Sequence, residues 1–223
     1  MAVKPRPALD RPRVLAAATA VADAEGLAAL SMRRLGAELG VEAMSLYHHV
    51  PNKAALLAGI ADLVAGEVPE PDPALGWRDA LQERYRRTHD ALLRHPWCAA
   101  LWAGQSAEVG PERLRHMDAV LATLRGAGFP PSLLELAFHS LQNHVVGHAV
   151  QAVAFSHRSD AADPLEVAAR RFLERPGLGA YPDLVAHVEW HAEHPDAASA
   201  FGFALDLLLD GLERALAGAR GRT

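Results

Sequence analysis

Tyr47, His48, His49 and Lys53 crowd into one stretch, LGVEAMSLYHHVPNKAALL, residues 39–57. A phenol, two imidazoles and an ammonium so close together can bond and neutralise phosphates, which is the chemistry of a polyanion site. The whole chain carries a formal net charge of −5, so such a site must be local. Basic residues outnumber acidic ones only at the start, where Lys4, Arg6, Arg11, Arg13, Arg33, Arg34 and Lys53 lie. Only that first segment is expected to meet an anionic partner.

The other histidines suggest a different chemistry. His144 and His148 are one helical turn apart with Gln151 beyond them, and His187, His191 and His194 repeat the spacing. Two histidines on one helical face can share a zinc ion, but a metal needs about three or four convergent ligands. Cys98 is the single cysteine and lies elsewhere. A polar seam between helices suits the first group and a solvated face the second, so no metal site is assigned. A helical metal-binding protein or small enzyme using these histidines is the alternative reading. No Ser/His/Asp order, phosphate-cradling glycine loop or carboxylate pair supports the enzyme.

The elements that must position these groups read as helices throughout. The chain has 223 residues, half of them hydrophobic, enough for a small domain and a larger one. No apolar run approaches the roughly 18 residues of a membrane span. The start lacks a secretion signal and a lone cysteine forms no internal disulfide, so a soluble cytoplasmic protein is expected. Val14, Leu15, Ala18, Val21 and Ala22 repeat at helical spacing before Gly26. Ser31 caps a second helix, Met32–Leu39, stopped by Gly40; a third runs over 42–49. Asn52 caps a fourth, with Leu56, Leu57, Ile60 and Leu63 facing inward. GEVPEPDPALG, residues 66–76, is the best boundary, dividing a domain at 1–66 from one at 77–223. Beyond it the pattern predicts helices over 77–95, 97–103, 111–127, 131–156, 164–174, 182–193 and 196–217. The fold class is all-α.

Helices two and three, joined at Gly40-Val41, have helix-turn-helix spacing. Val41, Leu46 and Val50 can lock the second of them inward. That leaves Ala43, Met44, Ser45, Tyr47 and His48 outward, where Ala43 and Met44 can meet thymine methyls and Ser45 a base edge or phosphate. Tyr47, His49 and Lys53 sit late, where they can bond the DNA backbone. An ordinary helical hairpin with solvated polar groups has the same pattern.

Residues 10–57 resemble the DNA-binding region of the tetracycline repressor (TetR) family. The features that carry the resemblance are a glycine ending helix one, SMRRL opening helix two, LGV at the turn, then L-Y-x-H-V-x-N-K-x-x-L-L. More thinly, GWRDALQERYRRTHDALLRHP, VLATLRGAGF and FGFALDLLLDGLERAL are similar to helices of the ligand domain in the tetracycline-repressor branch. The resemblance implies a dimer on a palindromic double-stranded operator, with transcription switched by a small-molecule effector. It implies base contacts by Arg33, Ala43, Met44 and Ser45 and phosphate contacts by Tyr47, His49 and Lys53; His48 departs from the usual aromatic. Lys4, Arg6, Arg11 and Arg13 either add phosphate contacts or form a solvated arm. Repressor and activator both fit the motif.

By position, Arg84, Thr88, Trp102, Arg113, Met117, Leu121, Phe138 and Gln142 resemble residues lining the effector pocket, although Met117, Leu121 and Phe138 equally suit a core. In the branch most resembled, a histidine and a glutamate hold a metal ion that arrives with the drug. Here those positions are Trp102 and Gln151. An indole nitrogen has no lone pair to offer, so the resemblance implies a flat, apolar effector without metal or other cofactor. The last helix places Phe201, Leu205, Leu208, Leu212 and Leu216 on one stripe and Phe203, Leu207 and Leu209 off it. A helix apolar on two sides needs two covers, so 131–156 and 196–217 are expected to pair across a dimer.

Overall fold

Local signals in the first sixty residues build a compact head. The computed structural model describes residues 9–104, 108–156, 165–194 and 200–221. Helix α1 (Arg11–Glu25) starts where Asp10 accepts a bond from the Arg13 amide at 2.9 Å. Ser31 does the same for α2 (Met32–Leu39), accepting from the Arg34 amide at 3.1 Å. Asn52 caps α4 (Lys53–Gly66), accepting from the Ala55 amide at 2.7 Å. Gly40 ends α2 with φ +66°, a left-handed conformation that costs glycine little.

The third helix is shorter than the expected 42–49. Helix α3 covers only Ala43–Leu46, and Tyr47–His49 continue as turns. The amides of Tyr47 and His49 bond to carbonyls three residues back, Met44 and Leu46. Pro51 is the reason: it pushes Val50 out of the helical region, so the chain tightens and stops. Leu46 and Val50 are nonetheless fully buried, as the pattern requires.

The body follows a linker rich in proline and acid. It comprises α5 (Trp77–Arg94), α6 (Pro96–Ala103), α7 (Pro111–Gly126), α8 (Pro131–Ser156), α9 (Leu165–Leu173), α10 (Pro182–Glu193) and α11 (Ala200–Arg220). No strand occurs among the described residues. Helices α5, α8 and α11 pack on one another, α6 and α7 join α4 of the head to α8, and α9 packs on α10. Expected helix ends agree to within a few residues, while 196–199, Lys4 and Arg6 lie outside the described residues.

Two inward faces differ from expectation. Leu63 is exposed, because α4 packs against α1 on one side and α6 and α7 on others, which takes up Leu56, Ile60, Ala61 and Val64 instead. On α11 the buried stripe is Phe201, Leu205, Leu209, Leu212 and Leu216, with Leu208 half-buried. After Leu205 both i+3 and i+4 satisfy helical spacing, and the lie of α11 on α5 and α8 selected the second. Phe203 and Leu207 stay exposed, as does Leu136 on α8.

The histidine seam is real and serves packing. The Phe201 ring lies between two imidazoles, parallel to His89 at 3.9 Å and to His144 at 4.8 Å. His144 Nε2 donates to the Phe201 carbonyl at 3.0 Å, and His89 Nε2 lies 2.9 Å from His148 Nδ1. His187 on α10 and His194 just past its end are exposed. Among the described residues, no three histidine, cysteine or carboxylate groups converge as a metal site.

Head and body are joined by side chains. Helix α7 begins at Gly110-Pro111, which supplies no cap; Asp62 of α4 supplies one, accepting from the Arg113 amide at 2.9 Å. Gly110 makes room, since a Cβ there would stand 2.2 Å from Asp62 Cγ. Asp62→Ala should therefore cost about 1 kcal/mol in urea unfolding, the usual worth of a cap, and Asp62→Asn, which keeps an acceptor, should cost less. Equal losses would mean that the carboxylate does not act as a cap.

Candidate DNA interface and effector pocket

The tip of the head presents polar and apolar groups held from behind by buried ones. Val14, Leu30, Leu35, Leu46, Val50 and Leu56 form its core. With Leu46 and Val50 pinned, Met44 projects at 72% exposure, unusual for an apolar side chain. Tyr47 and His48 are exposed beside it, and Ala43, Ser45 and His49 are half-buried. Lys53 is exposed at the first position of α4, and Arg33 is exposed near the start of α2. Its neighbour Arg34 is engaged elsewhere, bonded to Glu25 at 2.6 Å and Glu38 at 2.8 Å. Glu42 is exposed at the cap position of α3 and makes no capping bond, in keeping with a side chain turned from the helix end.

The body encloses a polar cluster between α5, α6 and α7. Arg84 is buried, with one nitrogen bonded to Glu70 of the linker and another 3.1 Å from His116 Nδ1. A guanidinium only donates, so Nδ1 accepts and the neutral ring carries its proton on Nε2. Burial, then Arg84 and Arg113, push the His116 pKa down to about 4 and hold the ring neutral. The Arg113 guanidinium stands 5.1 Å over the Trp102 ring and donates to the Trp102 carbonyl at 2.9 Å. The Trp102 and His116 rings are 6.0 Å apart. Arg113 also borders a cleft of about 180 Å³ between α4 and the start of α7.

These groups keep unused bonding capacity. Trp102 Nε1, Arg113 Nε, His116 Nε2, Tyr85 Oη and Gln142 Oε1 are buried without a partner among the described residues. Met117 and Leu121 pack half-buried against the core, and Phe138 belongs to it. Thr88 is buried, its hydroxyl donating to the Arg84 carbonyl at 2.8 Å. Gln151 is exposed on α8 and stands apart. Sequence reasoning missed His116 and Tyr85. His116 lies three residues after Arg113 on the same face of α7, a spacing that points to it; Tyr85 has no comparable signal.

Comparison with known proteins settles the family. Residues 14–60 match the family model described as bacterial regulatory proteins, tetR family. Residues 70–216 match that described as tetracyclin repressor-like, C-terminal domain. The chain belongs to the TetR family.

Its relatives within the TetR family are regulators. The HTH-type transcriptional repressor DrrR1 of Streptomyces coeruleorubidus is 37% identical, over 98% of this chain and 83% of its own. A possible TetR family transcriptional regulator from Streptomyces coelicolor superposes with TM-score 0.78 at 32% identity, over 92% of this chain and 100% of its own. ActR of Streptomyces coelicolor, solved in complex with actinorhodin, superposes with TM-score 0.70 at 28% identity, over 96% of this chain and 98% of its own. The chain is accordingly a DNA-binding, ligand-responsive transcriptional repressor, and its family consists of transcription factors, which are not enzymes. No helix among the described residues is long and apolar enough to cross a membrane.

The buried imidazoles have a consequence for stability. His116 and His89 are both held near pKa 4 by burial, His89 also by His148 and His144 against the pull of Asp90. An unfolded histidine binds its proton near pH 6.5, so between about pH 6.5 and 4 the unfolded chain takes up protons that the folded one refuses. Stability should fall as the pH drops through that window in urea titrations, and His116→Gln should flatten the fall. An unchanged slope in that variant would show that His116 titrates normally.

Proposed function

We propose that this TetR-family repressor acts in the cytoplasm as a homodimer. Two copies of α3 hold a palindromic operator until a flat, largely apolar effector that needs no metal binds the body. The observation that carries the DNA reading is Met44, held out at 72% exposure by the burial of Leu46 and Val50 behind it. An exposed methionine with Ala43 and Ser45 alongside suits base edges and thymine methyls in a major groove. Tyr47, His48, His49 and Lys53 flank it where phosphates pass, and Arg33 reaches the same groove from α2. The acidic body stays clear of the duplex, so a net charge of −5 is no obstacle.

The dimer reading rests on Phe203 and Leu207, 65% and 54% exposed one turn apart on α11. Leu136 on the neighbouring α8 extends this apolar area, which water disfavours. Pairing α8 and α11 with a second copy covers it. The effector reading rests on Trp102: an indole stands where the related branch has a metal-binding histidine, and its nitrogen offers no lone pair to a metal at that position.

Two measurements test this. In mobility shifts on the DNA flanking the coding region, Tyr47→Ala and Lys53→Ala should weaken binding to every sequence alike. Changes at Met44 should instead re-rank sites, with about 1–3 kcal/mol for each discrimination lost. If Lys53→Ala bound with unaltered affinity at low salt, the docking would be wrong. In sedimentation, the wild type should run at twice the 23.9 kDa chain mass, and Phe203→Glu should run as a monomer. A wild-type monomer that gripped DNA tightly would refute the dimer.

A further inference from the structure

The unpartnered atoms in the body are biased in one direction. Trp102 Nε1–H and Arg113 Nε–H only donate, and His116 Nε2 carries the ring proton because Arg84 occupies Nδ1. Against these three donors, which lie within one contiguous group, the other buried atoms without a partner among the described residues are one acceptor, Gln142 Oε1, and one hydroxyl that can act either way, Tyr85 Oη. A buried donor left unsatisfied is costly, so the group is built for a molecule that brings acceptors.

Charge points the same way. Arg84 is matched by Glu70, but among the described residues no carboxylate lies within ion-pair distance of the half-buried Arg113. Its partners are the Trp102 carbonyl and the face of the Trp102 ring, both electrically neutral as wholes. Burial lowers the Arg113 pKa, the sign of a charge that lacks compensation. The surrounding Met117, Leu121 and Phe138 are apolar.

We propose that the effector is a planar aromatic acid, whose anionic oxygen is taken by Arg113 together with the N–H groups of Trp102 and His116. This rests on the effector reading above and narrows it: apolar over most of its area, anionic at one edge. Arg113 supplies the charge, and the two ring N–H groups distinguish an oxygen acceptor from a purely hydrocarbon edge. Because Arg113 also holds the carbonyl at the end of α6 and borders the cleft beside α4, it is reached from the side on which the body meets the head.

The test uses two probes of one shape, an anthraquinone carboxylate and its neutral methyl ester. Each is titrated calorimetrically into the full-length protein, with DNA retention followed in parallel. The acid should bind the wild type about tenfold or more tightly than the ester. Arg113→Gln should abolish that preference, and Arg113→Lys should keep part of it. Equal binding of acid and ester, or binding of the ester alone, overturns the proposal and leaves the apolar-effector reading standing. Binding of neither probe also overturns it. Preference for the acid that survives Arg113→Gln would remove Arg113 from the site. The wild-type comparison needs no variant to fold, and DNA retention judges the repressor reading separately.

Discussion

The carboxylate of Asp62 ties the helix that carries Arg113 and His116 to the head. Helix α7 opens on a glycine and a proline, neither of which can satisfy its first amides, and Asp62 reaches across from α4 to accept from Arg113 at 2.9 Å. The same residue, Arg113, then holds the end of α6 through the Trp102 carbonyl. A single side chain of the head is thereby bonded to the backbone of the helix that carries the pocket's unmatched charge. Helix α4 has Lys53 at its other end, roughly 13 Å away at the rise of an α-helix. Lys53 and Asp62 thus belong to one helical rod.

A second joint runs in parallel. Asp23 of α1 accepts from Trp97 Nε1 at 2.6 Å and lies 2.8 Å from His95 Nδ1, while Glu67, just past α4, meets His95 Nε2 at 3.0 Å and Arg94 at 2.7 Å. Helix α6 thus touches the head through Trp97 and the polar cluster through Trp102. The two tryptophans, five residues apart, do not share a face and do not need to. Each is buried against a different neighbour. A ligand can shift the head only if it binds one arrangement of these joints better than another. Of the groups with unused bonding capacity, Arg113 is itself part of the first joint, and Trp102 shares helix α6 with Trp97 of the second.

The histidines divide by environment. His89, His144 and His148 are spent on a seam with Phe201, where stacked rings and one carbonyl bond make a tight junction of α5, α8 and α11. His116 sits among guanidinium groups and is kept neutral, which turns it into a fixed donor. His48 and His49 stand at the tip of the head, the first exposed and the second half-buried. Spacing alone could not separate these uses, since each needs only a histidine on a helix.

What the sequence determined by itself is the head and the succession of helices. Asp10, Ser31 and Asn52 each bond to an amide three residues on, Gly40 turns where only glycine turns cheaply, and Leu46 and Val50 fall on the buried side. Such bonds close within one turn, so their partners can be read a few letters away. The length of α3 escaped because Pro51 acts through Val50 on the turn before it. The tertiary structure alone decided the rest: that Leu209 rather than Leu208 faces the core, that Leu63 is left out, and that Arg84 meets His116 and Glu70. It also decided that Asp62 caps a helix 51 residues further along. These contacts depend on how whole helices lie across one another. Helical spacing gives several equivalent faces, and only packing against a neighbour selects among them.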